Sequence, residues 1–284
     1  MSVKRDCWSE WVLRVRRPEH PEIRERAAEM FRRVRERVLD GAEPVEGETL
    51  LDVGCGDGLI AFGAVERGAA LVVFSDISQD LLAESRRIAE ELGVVDRCRF
   101  LRAPADDLHG VPDESVDVVT TRSVLIYVDD KESAFAEFHR VLRPGGRVSL
   151  FEPINRLNRF LDAYDAAEVQ ELDDRVKAAF SDLQPRETDP MLNFDERDLV
   201  ELAERAGFER VHLTLEVETS PPEPAPWDLF MDTPFNPRIP SPREMMERVL
   251  TPAERERYEA HMRPRIEGGI GSRRMAKAYL RAVK

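Results

Sequence analysis

The sequence predicts an α/β fold built on a doubly wound, mostly parallel sheet of seven strands. From residue 49 onward, short apolar segments typical of buried strands alternate with segments of helical periodicity. Tight turns separate these segments, which favours parallel strands joined by helices on both faces of the sheet. In folds of this class, ligands bind at the carboxyl ends of the strands.

The individual elements follow from apolar periodicity and from capping residues. Ser78 is a good N-cap for one helix, Asp195 is a good N-cap for another, and Gly207 ends the second. The predicted strands are residues 49–54, 70–77, 98–103, 116–124, 147–153, 209–218 and 273–284, of which the last could also be a helix. The predicted helices are residues 7–15, 23–39, 59–68, 79–93, 131–142, 158–187, 194–208 and 243–269, with a proline break at residues 16–22.

The composition is that of a soluble globular protein. Apolar residues make up 42% and charged residues 35% of the 284 residues, so a sizeable core can form. The formal net charge of −14 disfavours a nucleic-acid partner, because phosphate binding needs a basic surface. Arginines are frequent in residues 13–39, but they alternate with glutamates. That stretch therefore predicts an amphipathic helix with an ion-paired face.

Three cysteines, Cys7, Cys55 and Cys98, predict neither a disulfide framework nor a zinc site, and no other metal motif is present. The sequence contains no apolar run long enough for a membrane span and no signal-peptide pattern. We therefore expect a cytoplasmic protein without a membrane partner. The sequence does not determine the oligomeric state.

A glycine-rich turn marks the expected ligand site. Asp52, Gly54, Gly56 and Gly58 form the pattern D-x-G-x-G-x-G between a strand and a helix. Glycine allows a sharp turn and the close approach of a ligand. A dinucleotide fingerprint would require a further glycine where Leu59 stands. A carboxylate at position 52 would repel a pyrophosphate and would suit a cationic group.

A second acid, Asp76, ends the next strand. An acid at this position can accept hydrogen bonds from both hydroxyls of a ribose. Together with Asp52, it favours a ligand that combines a cationic amino-acid end with a free ribose. S-adenosylmethionine is such a ligand.

These motifs resemble those of the class I S-adenosylmethionine-dependent methyltransferases, in particular the ubiquinone/menaquinone-biosynthesis group. LLDVGCGDG resembles the glycine motif of that family, FSDIS its ribose-binding acid, and residues 115–153 its fourth strand, the following helix, the RPGG turn and the fifth strand. The resemblance covers about residues 45–155 and, more weakly, residues 194–211. It implies a Rossmann-like methyltransferase sheet with S-adenosylmethionine as cofactor and S-adenosylhomocysteine as product.

The resemblance also implies which residues bind the cofactor. Asp52 and the glycine turn should line the methionine end, Asp76 the ribose and Ile77 the adenine. The adenine amino group should meet Asp106 or its rival Asp107, although the family usually has an acid or amide nearer Pro104. The full expected set is Asp52, Gly54, Cys55, Gly56, Gly58, Asp76, Ile77, Ala105, Asp106, Asp107, Thr121, Arg122 and Ser123.

Three residues are candidates for contact with the acceptor. Tyr127 stands where many relatives carry histidine, and it either meets the acceptor or packs on the following helix. Glu152 could be a general base, a substrate anchor, or an acid that caps a backbone segment or pairs with Arg156 or Arg159. Arg122, with those two arginines, would suit an anionic acceptor.

The resemblance divides the chain into a core and added segments. Aromatic residues in the late insertions, such as Trp227, Phe230 and Phe235, suggest a lid over a small apolar substrate. The expected segments are a helical cap (1–44), the cofactor-binding core (45–155), a helical lid insertion (156–192), a core helix and strand (193–219), a proline-rich and helical lid insertion (220–272) and a final core strand (273–284).

The expected function is transfer of a methyl group from S-adenosylmethionine to a small-molecule acceptor by in-line displacement. Two alternatives are a protein side-chain methyltransferase and a cofactor-binding scaffold without turnover. A nicotinamide oxidoreductase is disfavoured by Leu59 and Asp52.

Overall fold

The computed structural model describes residues 5–16, 20–159 and 162–284, so part of the predicted proline break, residues 17–19, lies outside the described residues. Seven strands form one sheet in the order β3-β2-β1-β4-β5-β7-β6. Their bounds are β1 (Thr49–Val53), β2 (Leu71–Asp76), β3 (Cys98–Arg102), β4 (Val116–Arg122), β5 (Leu142–Pro153), β6 (Glu209–Ser220) and β7 (Arg273–Val283).

The sheet confirms the predicted fold class. The pairs β1–β2, β2–β3, β1–β4 and β4–β5 are parallel, and β5 pairs with β7 in the antiparallel direction. The chain therefore winds outward from β1 in both directions, as in a doubly wound fold. The carboxyl ends of β1, β2, β4 and β5 meet at one edge of the sheet, because parallel strands point the same way.

Ten helices are found in the described ranges. Their bounds are α1 (Cys7–Arg16), α2 (Pro21–Gly41), α3 (Leu59–Glu66), α4 (Gln79–Glu91), α5 (Lys131–Val141), α6 (Gln170–Leu183), α7 (Glu196–Arg205), α8 (Trp227–Asp232), α9 (Pro242–Val249) and α10 (Pro252–Glu267). Local capping explains several of the starts. The side chains of Ser78, Asp130 and Asp195 each accept a backbone N–H from the first turn of α4, α5 and α7.

Three predicted boundaries were wrong. Of the helix expected over residues 158–187, residues 160 and 161 lie outside the described residues, and the helix found there is Gln170–Leu183. The helix expected over 243–269 divides into α9 and α10, because Thr251 caps a new helix and Pro252 occupies its first turn. The turn at residues 143–146 lies within β5 as a register shift against β4.

The described chain forms two compact units. One comprises Met1–Pro153, Phe194–Leu215 and Lys277–Lys284, and the other comprises Ile154–Asn193 and Glu216–Ala276. In the first unit, apolar residues of α2, β1, α3 and β2 share one buried cluster. The second unit has its own cluster, which includes Trp227, Met231 and Tyr258. The roles of these segments as a cap and a lid stay predictions.

None of the helices in the described ranges is both long and apolar enough to cross a membrane.

Trp227 is expected to be an anchor of the second unit. Its side chain is fully buried in the apolar cluster, so Trp227→Ala should lower the free energy of unfolding by about 3–5 kcal/mol. Leu183→Ala is the matched control, because Leu183 is 47% exposed and its loss should cost about 0.5 kcal/mol or less. Urea unfolding, with hydrogen exchange to localise the effect, measures both. Equal losses in the two variants would contradict this account of the core.

Candidate active site

The glycine turn after β1 adopts a conformation that favours glycine. Gly54, Gly56 and Gly58 all have positive φ angles of 64°, 59° and 87°, in the left-handed region. A Cβ added at Gly54 would overlap the side chain of Val124, whereas a Cβ at Gly56 would meet nothing within 4 Å. The turn is thus closed on one side by Val124 and open in front of Gly56.

Asp52 fixes this turn through hydrogen bonds to the elements around it. Its side chain is 1% exposed, and it accepts hydrogen bonds from the Thr120 hydroxyl at 2.9 Å and the Ala61 backbone N–H at 3.1 Å. These bonds connect β1 to β4 and to the first turn of α3. Asp52 therefore shapes the loop, and its direct contact with a cationic ligand stays a prediction.

Asp76 connects the glycine turn to the start of α4. One carboxylate oxygen accepts the Gly56 N–H at 2.9 Å, and the other accepts the Ser78 N–H at 2.8 Å. Burial raises the pKa of Asp76 above its ordinary value. Backbone hydrogen bonds, first those from Ser78 and Gly56, lower the pKa, and the nearby charge of Asp6 raises it, so the net change is an increase. Each carboxylate oxygen can accept a second hydrogen bond. Asp76 can therefore receive two hydroxyl donors without giving up its role in the loop.

The N-terminal helix is attached next to Asp76, which sequence reasoning missed. The Ser78 hydroxyl donates to Asp6 at 2.6 Å, and the Asp6 N–H donates to Asp80 at 2.7 Å. Asp6 also accepts the Ser9 N–H at 2.8 Å, so it caps α1. Burial raises the pKa of Asp6, but the hydrogen bonds from Ser78, Ser9 and Trp8 outweigh burial and lower it. The capping signal at Asp6 is readable from the sequence, whereas its partner 72 residues away is not.

The residues expected around the adenine follow β2 and β3. Ile77 is 42% exposed, and its carbonyl accepts a hydrogen bond from Arg102. Ala105 is buried and Asp106 is partly buried. Asp107 is more exposed and lies 3.4 Å from His109. This difference favours Asp106 over Asp107 for a contact at the edge of a ligand, and that contact stays a prediction.

Thr121, Arg122 and Ser123, which are expected beneath the cofactor, lie at the end of β4 and directly after it. Thr121 is fully buried, and its hydroxyl has no hydrogen-bond partner among the described residues. Arg122 places its guanidinium 5.3 Å from the ring centre of Phe31 on α2. Ser123 has a φ of 55° and donates its N–H to Phe151. A positive φ is unusual for serine, so the surrounding contacts hold it there.

Tyr127 packs against α1. Its ring lies edge-on to Trp8, with ring centres 4.8 Å apart, a geometry that aromatic pairs prefer. Packing of Tyr127 on the following helix, one of its two predicted roles, stays a prediction. A contact between Tyr127 and an acceptor stays a prediction.

Glu152 accepts backbone N–H groups, which agrees with the capping role that was one of the alternatives for this residue. Its side chain has no exposed surface, and it accepts the backbone N–H groups of Val124, Leu125 and Ile126 at 2.9, 3.0 and 3.4 Å. Burial raises the pKa of Glu152 to about 7, while the three N–H donors and Arg122 partly offset this increase. Glu152 thus holds the single 3-10 turn Leu125–Tyr127.

Two further groups bear on the chemistry. Cys55 is buried, and this burial raises the pKa of its thiol well above the usual range. The nearby negative charges of Asp76, Asp52 and Asp57 raise the pKa further. A neutral thiol is a weak nucleophile, so Cys55 contributes backbone to the turn.

Within the described part of the chain, no group of three His, Cys, Asp or Glu side chains is placed to hold a metal ion.

The residues present fit S-adenosylmethionine. Hydrogen-bond acceptors at Asp76, open space in front of Gly56 and the exposed Ile77 match a ribose, a close backbone approach and an adenine face. All of these groups belong to the first unit.

Comparison with known proteins agrees with this reading. A family model described as "Methyltransferase domain" matches residues 51–150. The chain is 35% identical over 181 residues to the ubiquinone/menaquinone biosynthesis C-methyltransferase UbiE of Stutzerimonas stutzeri, with 61% of the chain and 69% of that protein covered. It is 33% identical over 134 residues to the aklanonic acid methyltransferase DauC of Streptomyces sp., with 46% of the chain and 60% of that protein covered. The match thus spans less than two thirds of DauC.

A solved structure has a similar fold. The geranyl diphosphate methyltransferase in complex with S-adenosylmethionine superposes with a TM-score of 0.51 and 20% identity, covering 92% of this chain and 91% of that one. At this identity, the similarity shows the fold alone.

Gly54 is expected to be intolerant of a side chain. Gly54→Ala should lose stability through its positive φ and through overlap with Val124. Gly47→Ala is the control, because Gly47 has a φ of 77° and open space around it. Urea unfolding should show about 1–2 kcal/mol lost in the control and a further 1–3 kcal/mol lost in Gly54→Ala. Equal losses would mean that Val124 does not close the turn.

The raised pKa of Glu152 predicts a pH dependence of stability. Glu152 has an ordinary pKa of 4.5 and a pKa of about 7 in the folded protein, so the folded state holds the extra proton in this interval. The stability from this group is present below pH 4.5 and is lost as the pH rises through 7.

Between pH 5 and pH 8, the free energy of unfolding of the wild type should therefore fall by about 2–3 kcal/mol more than that of Glu152→Gln. Urea unfolding of both proteins at several pH values measures this difference, since other titrations are common to both. Parallel stability curves would show that Glu152 keeps an ordinary pKa.

Proposed function

Because the chain belongs to the class I S-adenosylmethionine-dependent methyltransferases, we propose that it transfers the methyl group of this cofactor to a small-molecule acceptor. The observation that carries the proposal is the arrangement of Asp76 at the end of β2, hydrogen-bonded to the open glycine turn. It offers acceptor oxygens beside a backbone that a ligand can approach closely. The named relatives UbiE and DauC are methyltransferases of small molecules.

When bound, S-adenosylmethionine supplies a methyl group that its positive sulfur has already activated. The protein then has to hold the acceptor close to that methyl group and in line with it. Such positioning can contribute about 7–11 kcal/mol to lowering the barrier. A general base is needed only where the acceptor atom is protonated at the working pH.

The cofactor contacts are proposed as follows. Asp76 accepts the ribose hydroxyls, and Ile77 packs against the adenine. Asp106 accepts the adenine amino group in preference to Asp107, because the latter lies beside His109. The backbone of the turn from Gly54 to Gly58, with Thr121 and Ser123 below it, surrounds the methionine end.

The acceptor contacts are proposed at Tyr127 and Arg122. Tyr127 forms an aromatic pair with Trp8, which provides an apolar wall for a planar or aliphatic acceptor. Arg122 lies at the end of β4 and carries a permanent charge, so it suits an acceptor with a carboxylate. Because Glu152 is buried in backbone hydrogen bonds, it is a poor candidate for direct proton transfer.

Two alternatives remain open within the family. A protein side-chain methyltransferase would modify a peptide in place of a small molecule, and a scaffold would bind the cofactor without turnover. Turnover with a panel of small acceptors and peptides separates the three possibilities. A cytoplasmic location and the absence of nucleic-acid partners are part of the proposal, and the net charge of −14 supports the second of these.

Asp76 is expected to dominate cofactor affinity. Asp76→Ala should weaken the binding of S-adenosylhomocysteine about 10- to 100-fold, because a hydrogen bond to a charged group is worth about 1.5–3 kcal/mol. Asp76→Asn keeps one acceptor oxygen and should lose less. Calorimetric titration of the purified protein measures both variants, with NAD as the control ligand.

Asp113→Ala is the control variant, since Asp113 is exposed and pairs with Arg140. It should bind S-adenosylhomocysteine like the wild type. Unchanged affinity in Asp76→Ala, or binding of NAD by the wild type, would overturn the cofactor assignment.

A further inference from the structure

Glu152 belongs to β5 but acts on the segment that follows β4. Its two carboxylate oxygens receive three successive backbone N–H groups, those of Val124, Leu125 and Ile126. These are the N–H groups that a short helical turn leaves without partners at its start. An ionised carboxylate has about four acceptor positions, so most of its capacity is used in this contact. Glu152 therefore caps the turn Leu125–Tyr127 from a different strand.

The turn that Glu152 caps lies on the glycine motif. Val124 occupies the space that a Cβ at Gly54 would need. Ser123, just before the turn, keeps a φ of 55°, a conformation that a serine adopts only when its surroundings hold it. The position of Val124 over Gly54 thus depends on contacts outside its own segment.

The same turn also sets the position of Tyr127. The Tyr127 N–H donates to the Val124 carbonyl at 2.8 Å, which closes the turn. The Tyr127 ring then meets Trp8 on α1. A shift of the turn would therefore move a wall of the cofactor loop and an aromatic side chain together.

We propose that Glu152 is the positioning residue of this site: its carboxylate fixes the Ser123–Tyr127 segment, so that Val124 supports Gly54 and Tyr127 faces Trp8. The effect on the cofactor rests on the proposed function, whereas the effect on the segment does not. Glu152 touches neither the cofactor loop nor the aromatic pair through its own hydrogen bonds, and it acts through the backbone of the turn.

This role makes cofactor binding sensitive to the charge on Glu152. A protonated carboxyl group has one acceptor position fewer than the carboxylate, so it holds three N–H donors less well. Among the described residues, Arg122 at the end of β4 is a charged group whose field favours the ionised form of Glu152. On the adjacent strand β7, Glu152 is paired with the uncharged Ala278, and Tyr127 is the titratable side chain of the turn itself. Affinity for S-adenosylhomocysteine should therefore fall as the pH falls below about 7.

The test compares Glu152→Ala and Glu152→Gln with Ser149→Ala. Ser149 is also buried on β5, but its hydroxyl donates to the Val38 carbonyl on α2 and not to the turn Leu125–Tyr127. Two quantities are measured for each protein: hydrogen exchange of the amides of residues 123–128, corrected for intrinsic rates, and calorimetric affinity for S-adenosylhomocysteine at pH 6 and pH 8.

Glu152→Ala should increase exchange in residues 123–128 at least about tenfold and weaken the affinity by about tenfold, equivalent to about 1.4 kcal/mol. Glu152→Gln should show smaller changes than Glu152→Ala in both the exchange and the affinity, because its amide oxygen still accepts N–H groups. The wild-type affinity should fall several-fold from pH 8 to pH 6, whereas that of Glu152→Gln should be constant. Ser149→Ala should match the wild type in both measurements.

Wild-type exchange in Glu152→Ala would overturn the proposal. So would a Glu152→Gln variant with normal exchange and affinity but no turnover, because that result would make Glu152 a catalytic base. If Glu152→Ala does not fold, Glu152→Gln and its pH profile decide the question. A wild type that does not bind S-adenosylhomocysteine would overturn the proposed function, while the exchange data would still test the capping of the turn.

Discussion

A carboxylate that is buried at the end of a strand loses its hydrogen bonds to water. At the ends of three strands of this sheet, hydrogen bonds from the protein replace those lost bonds. Asp52, Asp76 and Glu152 lie at the carboxyl ends of β1, β2 and β5, and each accepts hydrogen bonds from the protein. Removing an ion from water costs several kcal/mol even after relaxation. Charge-assisted hydrogen bonds from backbone N–H groups each return about 1.5–3 kcal/mol. The loops that supply these N–H groups are thereby fixed in place.

This arrangement makes the shape of the candidate site depend on the protein's own hydrogen bonds. The hydrogen bonds described for these acids come mainly from backbone N–H groups, which carry no net charge. The pKa values of Asp76 and Glu152 remain raised, which shows that burial outweighs the hydrogen bonds. A site of this kind is poised to stabilise donors and cations that approach it.

The remaining contacts of the first unit extend from these anchors. Asp6 accepts a hydrogen bond from the hydroxyl of Ser78, and Asp76 accepts one from the N–H of Ser78, so α1 is connected to Asp76 through one residue. Its Trp8 then reaches Tyr127, on the turn that Glu152 holds. The second unit is stabilised differently, by an apolar cluster rich in methionine and aromatic side chains. Methionine fills irregular space, which suits helices joined by proline-rich segments.

The sequence by itself determined the features that depend on neighbouring residues. The alternation of strands and helices, the glycine turn and the caps at Ser78 and Asp195 all involve residues a few positions apart, so local patterns suffice. Asp76 at the end of β2 was predictable for the same reason.

Only the tertiary structure decided what the buried acids bind. The bond from Thr120 to Asp52 spans 68 residues, and the bond from Val124 to Glu152 spans 28. From the sequence, Glu152 could be a base, an anchor, a cap or a member of an ion pair, and no local pattern decides among these roles. Folding buries its side chain beside three backbone N–H groups, which decides for the cap. A buried charge takes the partners that the packing places nearest to it, and the order of residues along the chain does not specify them.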